Sequence, residues 1–261
     1  RRAPQHHGCP MSLRSRLGFS ADPLYLMDGS AFIFRSFYAY QNMTRSDGFP
    51  TNALYMVARL ILKLLREEQP VHFSFIMDGK GPTFRNERFP AYKANRSATP
   101  EPLVAQLGPL RELLGLLGVP VIVSQNCEAD DCIASLAGRN RGDRPVIILG
   151  ADKDLKPGLH DNVVLCDLAA KDEKLTTLAE FRAETGMEPS SWPDYQALVG
   201  DSSDNIPGVP KIGPKTALEL IREFKTLDGI FDRLPAVTPQ IRPKLEGQLE
   251  NALLCRALTR L

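Results

Sequence analysis

Short apolar runs alternate with helical patterns along most of this chain of 261 residues. Three of the runs lead to Asp28, Asp78 and Asp152, a fourth reads VPVIVS, and a fifth reads NVVLCD. The stretches predicted as helices are 51–68, 103–117 and 128–138. The first of them repeats apolar residues with a period near 3.6. Continuous apolar strands alternating with helices predict an α/β fold with a doubly wound, mostly parallel, Rossmann-like sheet.

Bulk composition leaves the class of partner open. The 32 basic and 31 acidic residues give a formal net charge of +1, which excludes neither nucleic acid nor a small substrate. The five cysteines are scattered without a CxxC pair, which argues against a disulfide framework and a structural zinc site and favours reduced thiols. No apolar run approaches the roughly 20 residues of a membrane span, so no membrane partner is expected.

Changes in composition and in apolar pattern along the chain predict three parts. Residues 1–21 carry four arginines and no acid, which is typical of a disordered basic tail. Residues 22–190 contain the alternating pattern and form the predicted α/β core. Residues 191–261 are rich in loops and then helical, which indicates a small helical subdomain.

Carboxylates follow the predicted strands. Asp28, Asp78 and Asp152 each come at the end of an apolar run, and Glu128 follows another run after a short loop. A single aspartate after a strand is usually a turn or capping residue. Several at equivalent places are better explained by a ligand site, because ligands bind at the carboxyl edge of open α/β sheets.

The complete acidic set is too large to share one rim without cations. It consists of Asp28, Asp78, Glu128, Asp130, Asp131, Asp152, Asp154, Asp201 and Asp204. Like charges at close range raise each other's pKa, and lysines and arginines look too few in these segments to pair with them. Hard oxygen ligands favour Mg²⁺ or Mn²⁺ over zinc. The number of carboxylates predicts two ions, which could clamp the attacking and leaving oxygens of a phosphoryl displacement.

Five motifs in a fixed order carry a resemblance to a known family. They are LMDGSAFIFRSFYA, FIMDGKGPTFRNERFPAYKANR, EADDCIASLA, ADKDL and GDSSDNIPGVPKIGPKTA. Over about 230 residues the chain resembles the 5′-nuclease, or flap endonuclease, family, whose core is PIN-like. The nearest resemblance is to the N-terminal 5′–3′ exonuclease domain of bacterial DNA polymerase I and its stand-alone relatives. One departure is the stretch Lys156–Leu159, where a Pro-Gly pair predicts a shortened helical turn.

The resemblance implies a division of the carboxylates between two metal groups. The first comprises Asp28, Asp78, Glu128, Asp130 and Asp131, and the second comprises Asp152, Asp154, Asp201 and Asp204. Many of them are expected to bind through water. The resemblance implies direct catalytic roles for Asp28, Asp78 and Asp131.

A basic and aromatic segment is the predicted path of a single strand. Residues 80–96 interleave cations with Phe84, Phe89 and Tyr92, a composition that suits phosphates and stacked bases. A solvated charged loop is the plain alternative. By resemblance, segment 80–105 forms a helical arch, and Tyr92 contacts DNA. Lys93 and Arg96 would steer the scissile phosphate and offset charge in the transition state. Arg35 would contact the 5′ strand.

The stretch IPGVPKIGPKTALEL nearly spells a nucleotide-binding P-loop. Pro214 interrupts the required Gly-Lys-Thr and no apolar strand precedes it, so that context fails. A helix–hairpin–helix over about 204–225 is the better interpretation, with Gly208 and Gly213 permitting a tight turn. Exposed amides at a helix start hold a phosphate, here with Lys211, Lys215 and Thr216. The resemblance adds a K⁺ ion bound by hairpin carbonyls.

The resemblance implies a Mg²⁺- or Mn²⁺-dependent 5′–3′ exonuclease and flap endonuclease that acts in primer removal and repair. Its partners would be DNA with a 5′ flap or free 5′ end, an RNA primer–DNA hybrid, and a polymerase module in cis or in trans. A monomer at work in the bacterial cytoplasm, on the nucleoid, is expected. Two rivals are a PIN-like ribonuclease and a DNA-binding scaffold with a dead site.

Overall fold

A six-stranded sheet lies at the centre of the molecule, in the order β3-β2-β1-β4-β5-β6. The computed structural model describes residues 11–40, 43–168 and 173–261. The strands are β1 (Leu24–Asp28), β2 (His72–Met77), β3 (Val121–Val123), β4 (Val146–Leu149), β5 (Val163–Asp167) and β6 (Lys174–Thr176). The first five pair in parallel, and β6 joins the β5 edge antiparallel. This confirms the predicted mostly parallel sheet.

Helices cover both faces of the sheet, so β1, β2, β4 and β5 are largely buried, whereas the edge strands β3 and β6 are more exposed. In the described residues they are α1 (Leu13–Arg16), α2 (Gly29–Ala39), α3 (Asn52–Glu68), α4 (Phe84–Arg88), α5 (Glu101–Leu116), α6 (Ala129–Asn140), α7 (Leu178–Thr185), α8 (Trp192–Val199), α9 (Pro214–Phe224), α10 (Leu227–Asp232), α11 (Arg242–Leu245) and α12 (Leu249–Thr259). One core layer gathers α2, α3 and α5 over alternate side chains of the sheet. The other joins α6 to the C-terminal helices. None of the helices in the described ranges is long and apolar enough to cross a membrane.

The sheet order places a change of direction beside β1. The chain builds β1, β2 and β3 outward to one side and then returns to lay β4 on the other side of β1. The helix α2 after β1 and the 3-10 turn after β4 therefore pack on opposite faces of the sheet, and a crevice is expected at the carboxyl ends of these strands.

The predicted disordered tail is wrong for residues 12–21. Ser12 caps α1, and Leu13 is buried among α2, α3 and β1 neighbours in the core. The Leu13 backbone N–H donates to both carboxylate oxygens of Glu68 at 2.9 Å. An apolar residue and a capping serine outweigh the basic composition here. Residues 1–10 of the predicted tail lie outside the described residues.

The segment predicted as a helical arch is short in helix. Within 80–105 the structure contains α4, a series of turns over residues 90–95, and the start of α5. The Lys93 N–H donates to the Asp204 carbonyl at 2.9 Å, and the Asn95 amide donates to the Ser202 carbonyl at 2.7 Å. The segment therefore lies against the loop that follows α8, which brings the basic residues to the acidic edge of the sheet.

Candidate metal centre and nucleic-acid interface

Two aspartates are set at the carboxyl edge by neighbouring strands. Asp28 ends β1 and is 3% exposed, and its Oδ1 accepts the Ala31 N–H at 3.0 Å, so it also caps α2. Asp78 directly follows β2. Because β1 and β2 are parallel partners with Asp28 opposite Ile76, both carboxylates reach the same edge.

The start of α6 adds further carboxylates. Glu128 is its N-cap residue and forms a reciprocal capping box with Asp131. The Ala129 N–H, in the first turn, donates to Asp78 Oδ1 at 2.7 Å. The positive end of the helix dipole faces these acids and favours their charge. The stretch EADD is therefore held against the end of β2 by a hydrogen bond from a backbone N–H to the Asp78 carboxylate.

The remaining carboxylates come from two separate segments. Asp152 caps a 3-10 turn over Lys153–Gly158, accepting the Asp154 N–H at 2.9 Å. This turn is where the departure at Lys156–Leu159 was predicted to shorten the helix. Asp201 and Asp204 lie in the hairpin after α8, where Asp201 and Ile206 exchange two backbone hydrogen bonds of 2.8 Å.

Eight of the nine predicted carboxylates line one cavity of about 250 Å³. They are Asp28, Asp78, Glu128, Asp130, Asp152, Asp154, Asp201 and Asp204. The ninth, Asp131, lies behind this cavity in contact with Arg85. The tertiary structure thus brings together acids that are up to 176 positions apart in the sequence, from Asp28 to Asp204.

Burial and mutual repulsion raise the pKa of three of the acids in this cavity. Burial, with the charges of Asp152 and Asp78, raises the pKa of Asp28 to about 7. Burial and the charges of Asp28 and Asp152 raise the pKa of Asp130. Burial and Asp152 raise the pKa of Asp154 to about 6, although a hydrogen bond from Gln196 opposes the shift. These carboxylates are destabilised in the absence of a cation.

The prediction that lysines and arginines are too few to pair with these acids is wrong for four of them. Glu128 pairs with Lys93, Asp131 with Arg85, Asp201 with Lys153, and Asp204 with Arg96. The pKa of Asp201 is lowered: burial alone would raise it, but the hydrogen bond and the charge of Lys153 outweigh burial. The composition of each acidic segment concealed these pairs, because each of the four cations lies at least 35 positions from the acid it pairs with.

The other five acids have no ion pair within 4.0 Å among the described residues. They are Asp28, Asp78, Asp130, Asp152 and Asp154. Three of these unpaired acids, Asp28, Asp130 and Asp154, have raised pKa values. The excess negative charge is therefore concentrated at the ends of β1, β2 and β4 and at the first turn of α6.

Arg85 is a site residue that the sequence reasoning missed. Its guanidinium is 1% exposed and donates to both oxygens of Asp131, at 2.7 and 2.8 Å. It also donates to the carbonyls of Leu258 at 2.7 Å and Arg260 at 3.2 Å. Arg85 therefore ties α6 to the C-terminal end of α12. Its position in FRNER, among exposed cations, gave no sign of burial.

Tyr92 occupies a different position from the one a base-stacking ring would need. The side chain is 3% exposed, and its hydroxyl lies 2.9 Å from Glu128 Oε2 and 3.1 Å from Asp204 Oδ2. Burial and the Glu128 charge raise the pKa of Tyr92, so it stays a hydrogen-bond donor. In this structure Tyr92 holds two acids from the two predicted metal groups near each other. Its predicted contact with DNA stays a prediction.

The cations predicted to handle phosphate lie on the rim of the cavity. Lys93 and Arg96 both line it, and Lys93 Nζ is 3.7 Å from Asp204 Oδ2. Arg96 is the more exposed of the two. Arg35 lies on the adjoining surface beside Asp152 and is bonded to Asp167 at 2.8 Å.

The predicted hairpin follows α8 and precedes α9. Gly208 has φ 67°, and a Cβ there would lie 2.5 Å from the Gly200 nitrogen, so the two strands of the hairpin touch at glycines. Gly213 is the N-cap of α9. Lys211 and Lys215 are exposed and Thr216 is half-buried at this helix start. Because α8 and not a strand comes before the hairpin, the P-loop alternative fails here too.

The donor set fits divalent cations. Every side chain that would act as a ligand is a carboxylate, and a bound cation would lower the raised pKa values of Asp28 and Asp130. In the described ranges, no group of three or more His, Cys, Asp or Glu side chains is already arranged to hold an ion. Mutual repulsion between the carboxylates, and their ion pairs with Lys93, Lys153 and Arg96, keep them too far apart to form such a group.

Comparisons with known proteins bear on both parts of the chain. A family model described as the 5′-3′ exonuclease N-terminal resolvase-like domain matches residues 23–186, and one described as the 5′-3′ exonuclease C-terminal SAM fold matches residues 187–261. They divide the chain four residues before the predicted boundary at 190. The predicted boundary at residue 190 stays a prediction.

The curated relatives are much longer than this chain. The thermostable DNA polymerase I of Thermus thermophilus is 40% identical over 235 residues, which are 90% of this chain and 28% of that protein. DNA polymerase I of Mycobacterium bovis is 37% identical over 245 residues, or 90% of this chain and 27% of that protein.

Solved structures share the fold. T5 5′-exonuclease with bound zinc superposes with a TM-score of 0.75 at 23% identity, covering 91% of this chain and 89% of that one. The catalytic core of Rad2 in complex with DNA substrate has a TM-score of 0.64 at 19% identity, covering 96% and 85%. With both of its parts matched by family models, the chain belongs to the 5′-3′ exonuclease family.

Proposed function

We propose that this chain is a structure-selective 5′-nuclease that hydrolyses phosphodiester bonds in DNA near free 5′ ends and 5′ flaps. The observation that carries the proposal is the convergence of eight carboxylates on one cavity, with Lys93 and Arg96 on its rim. Acids without basic partners and cations within reach of a phosphate are the two requirements of metal-assisted phosphoryl transfer. The products would be a 5′-phosphate and a 3′-hydroxyl.

We propose two Mg²⁺ or Mn²⁺ ions as cofactors. Asp28, Asp78 and Asp130, with Glu128, would hold the first, and Asp152, Asp154, Asp201 and Asp204 would hold the second. Arg85 donates to both carboxylate oxygens of Asp131, so Asp131 would not bind the ion directly. It would act by accepting the Glu128 N–H and so holding Glu128 in place. When bound, such ions activate water and stabilise charge on the leaving oxygen.

The chain's own cations have a separate task. Lys93 contacts Glu128 and approaches Asp204, while Arg96 contacts Asp204. A phosphate entering the cavity is an alternative anionic partner for both. We infer that Lys93 and Arg96 exchange their carboxylates for the scissile phosphate, whose growing negative charge they then offset. Tyr92 would keep Glu128 and Asp204 in place during that exchange.

Duplex DNA would bind along the hairpin and the start of α9. The exposed Lys211 and Lys215 and the free N–H groups of the first helical turn suit phosphates and not base edges. Binding would therefore be sequence-independent. A K⁺ ion at the hairpin carbonyls, the contact of Arg35 with the 5′ strand, and cleavage of an RNA primer–DNA hybrid belong to the same proposal.

The cellular setting follows from the relatives and stays a proposal. Proteins named DNA polymerase I match the chain over little more than a quarter of their length. We infer that a polymerase module works with this chain in cis or in trans, in primer removal and repair on the bacterial nucleoid. The chain would act as a monomer.

The test is cleavage of a 5′-labelled flap by the purified protein. We expect product with Mg²⁺ or Mn²⁺ and none with excess EDTA. Asp78→Ala should lower the rate by at least a hundredfold, while flap binding in the absence of metal persists. Asp143→Ala, an exposed aspartate between α6 and β4, is the matched control and should cleave normally.

The same assay separates the two rivals. A scaffold with a dead site would bind the flap and leave it intact with either metal. A PIN-like ribonuclease would cut single-stranded RNA and spare the DNA flap. Cleavage that survives Asp78→Ala would show that the first metal group is assigned wrongly.

A further inference from the structure

Two cysteines lie side by side at the start of α6. Cys127 Sγ and Cys132 Sγ are 3.8 Å apart, and both side chains are partly exposed. The other two cysteines of the described residues, Cys166 and Cys255, are fully buried. A small reagent in solution therefore reaches the first pair in preference to the buried thiols.

The contact has a clear origin in helix capping. Glu128 is the N-cap of α6, so Cys127 is the residue before the cap and Cys132 is the fourth residue of the helix. These two positions are the ones at which apolar side chains pack together in a hydrophobic staple. Here both staple positions are thiols, which gives a packing contact the capacity for covalent chemistry.

We propose that Cys127 and Cys132 are an oxidisable pair that forms a reversible disulfide across the turn carrying Glu128, Asp130 and Asp131. This inference goes beyond the proposed nuclease function and does not depend on it. A disulfide requires the sulfurs to approach to about 2.05 Å. The sulfurs are 3.8 Å apart here, and rotation of the two side chains would close the difference.

The chemistry is thiol–disulfide exchange with a small disulfide such as oxidised glutathione. The Cys127 thiolate attacks one sulfur of the reagent, forms a mixed disulfide and releases one glutathione thiolate. The Cys132 thiolate then attacks Cys127 Sγ and releases the second glutathione. The two protein thiols lose two protons and two electrons, and the reagent is reduced to two thiols.

The sequence allows a direct measurement. Trypsin cuts after Arg111 and Arg139, and peptide 112–139 contains Cys127 and Cys132 and no other cysteine. We expect folded protein equilibrated with oxidised and reduced glutathione to yield this peptide two hydrogen atoms lighter. Dithiothreitol should restore its mass. A peptide that stays reduced, or that accumulates one or two bound glutathiones, would overturn the proposal.

Three comparisons complete the test. The equilibrium with oxidised and reduced glutathione gives the effective concentration of one thiol relative to the other. This effective concentration should be at least tenfold higher in folded protein than in protein unfolded by urea. An equal or lower value in the folded protein would mean that the fold opposes the bond. Cys132→Ser should stop at one glutathione on Cys127, and Cys9→Ser, the matched control, should form the bond as the wild type does. Circular dichroism checks that each variant is folded, and no readout uses nuclease activity.

Discussion

At the scale of the residue, the carboxylates of this chain belong to two electrostatic classes. Glu128, Asp131, Asp201 and Asp204 have basic partners that offset their negative charge. Asp28 is buried and Asp130 is half-buried among like charges, and burial and repulsion raise the pKa of both. The second class is the more sensitive to metal and to pH.

Asp28 makes the metal-free protein less stable at high pH. Its pKa is about 7 in the folded protein and about 3.9 when unfolded, so folding takes up a proton between these values. The ionised form is disfavoured in the fold, and this cost is absent below about pH 4 and complete above about pH 7. With EDTA at pH 8, we expect Asp28→Asn to unfold at higher denaturant than the wild type, by about 1–3 kcal/mol.

Urea unfolding at pH 8 and pH 5 measures the effect, and the advantage of the variant should shrink at pH 5. Mg²⁺ should stabilise the wild type more at pH 8 than at pH 5, because protons compete with it. Asp143→Asn is the control and should follow the wild type at both values. A constant difference between Asp28→Asn and the wild type at the two pH values would contradict the prediction.

Arg85 is expected to dominate the energetics of its surroundings. Arg85→Ala leaves the Asp131 carboxylate without its bidentate partner and removes the bonds to the Leu258 and Arg260 carbonyls. Breaking one side of a buried ion pair costs about 3–5 kcal/mol. Denaturant unfolding should show that loss, whereas Arg88→Ala, an exposed arginine three positions on, should cost under about 0.5 kcal/mol. Equal effects of the two substitutions would refute the role given to Arg85.

At the scale of the element, capping organises the acidic edge. The aspartate that ends β1 caps α2, and α6 begins with a capping box made by two of its carboxylates. The acids are therefore both helix starts and candidate ligands. Because the same acid can cap a helix and face the cavity, helices begin directly at the acidic edge of the sheet.

The hairpin between α8 and α9 depends on one close approach. Gly208→Ala would place a Cβ 2.5 Å from the Gly200 nitrogen and 2.6 Å from the Val199 carbonyl carbon, at a φ of 67°. We expect it to lower stability by about 2–3 kcal/mol and to weaken duplex binding. Thermal unfolding and a duplex-binding titration measure the two effects.

Gly213→Ala is the matched control for the hairpin. It lies in the same segment with negative φ, and no atom is within 4 Å of the added carbon. Its stability should stay within about 1 kcal/mol of the wild type, the range for loss of a glycine N-cap. A loss as large as that of Gly208→Ala would show that the segment resists any side chain, not that two backbones touch.

At the scale of the whole molecule, a net charge of +1 means that affinity for DNA must arise from local clusters. The basic segment and the hairpin lie next to each other because turns 90–95 pack on the loop at residues 201–205. The cations proposed to bind phosphate and the acids proposed to bind metal are thereby brought together.

Salt dependence checks this arrangement. Each phosphate neutralised by a lysine contributes about 0.9 to the slope of log K against log salt for duplex DNA. We expect Lys215→Ala to reduce the slope by about that amount, measured with a duplex in EDTA to prevent cleavage. Lys174→Ala, an exposed lysine on the edge strand β6, should leave it unchanged. An unchanged slope for Lys215→Ala would remove the start of α9 from the proposed DNA path.

The sequence by itself determined the parallel sheet, since apolar runs of strand length alternate with helical periods. It also determined the position of Asp28, Asp78 and Asp152, because a residue that ends a parallel strand must lie at one edge. Tertiary structure alone decided which acids are paired. Arg85 reaches Asp131 across 46 positions, and Arg96 reaches Asp204 across 108. Such pairs depend on how loops pack on the sheet, and no local pattern encodes that packing.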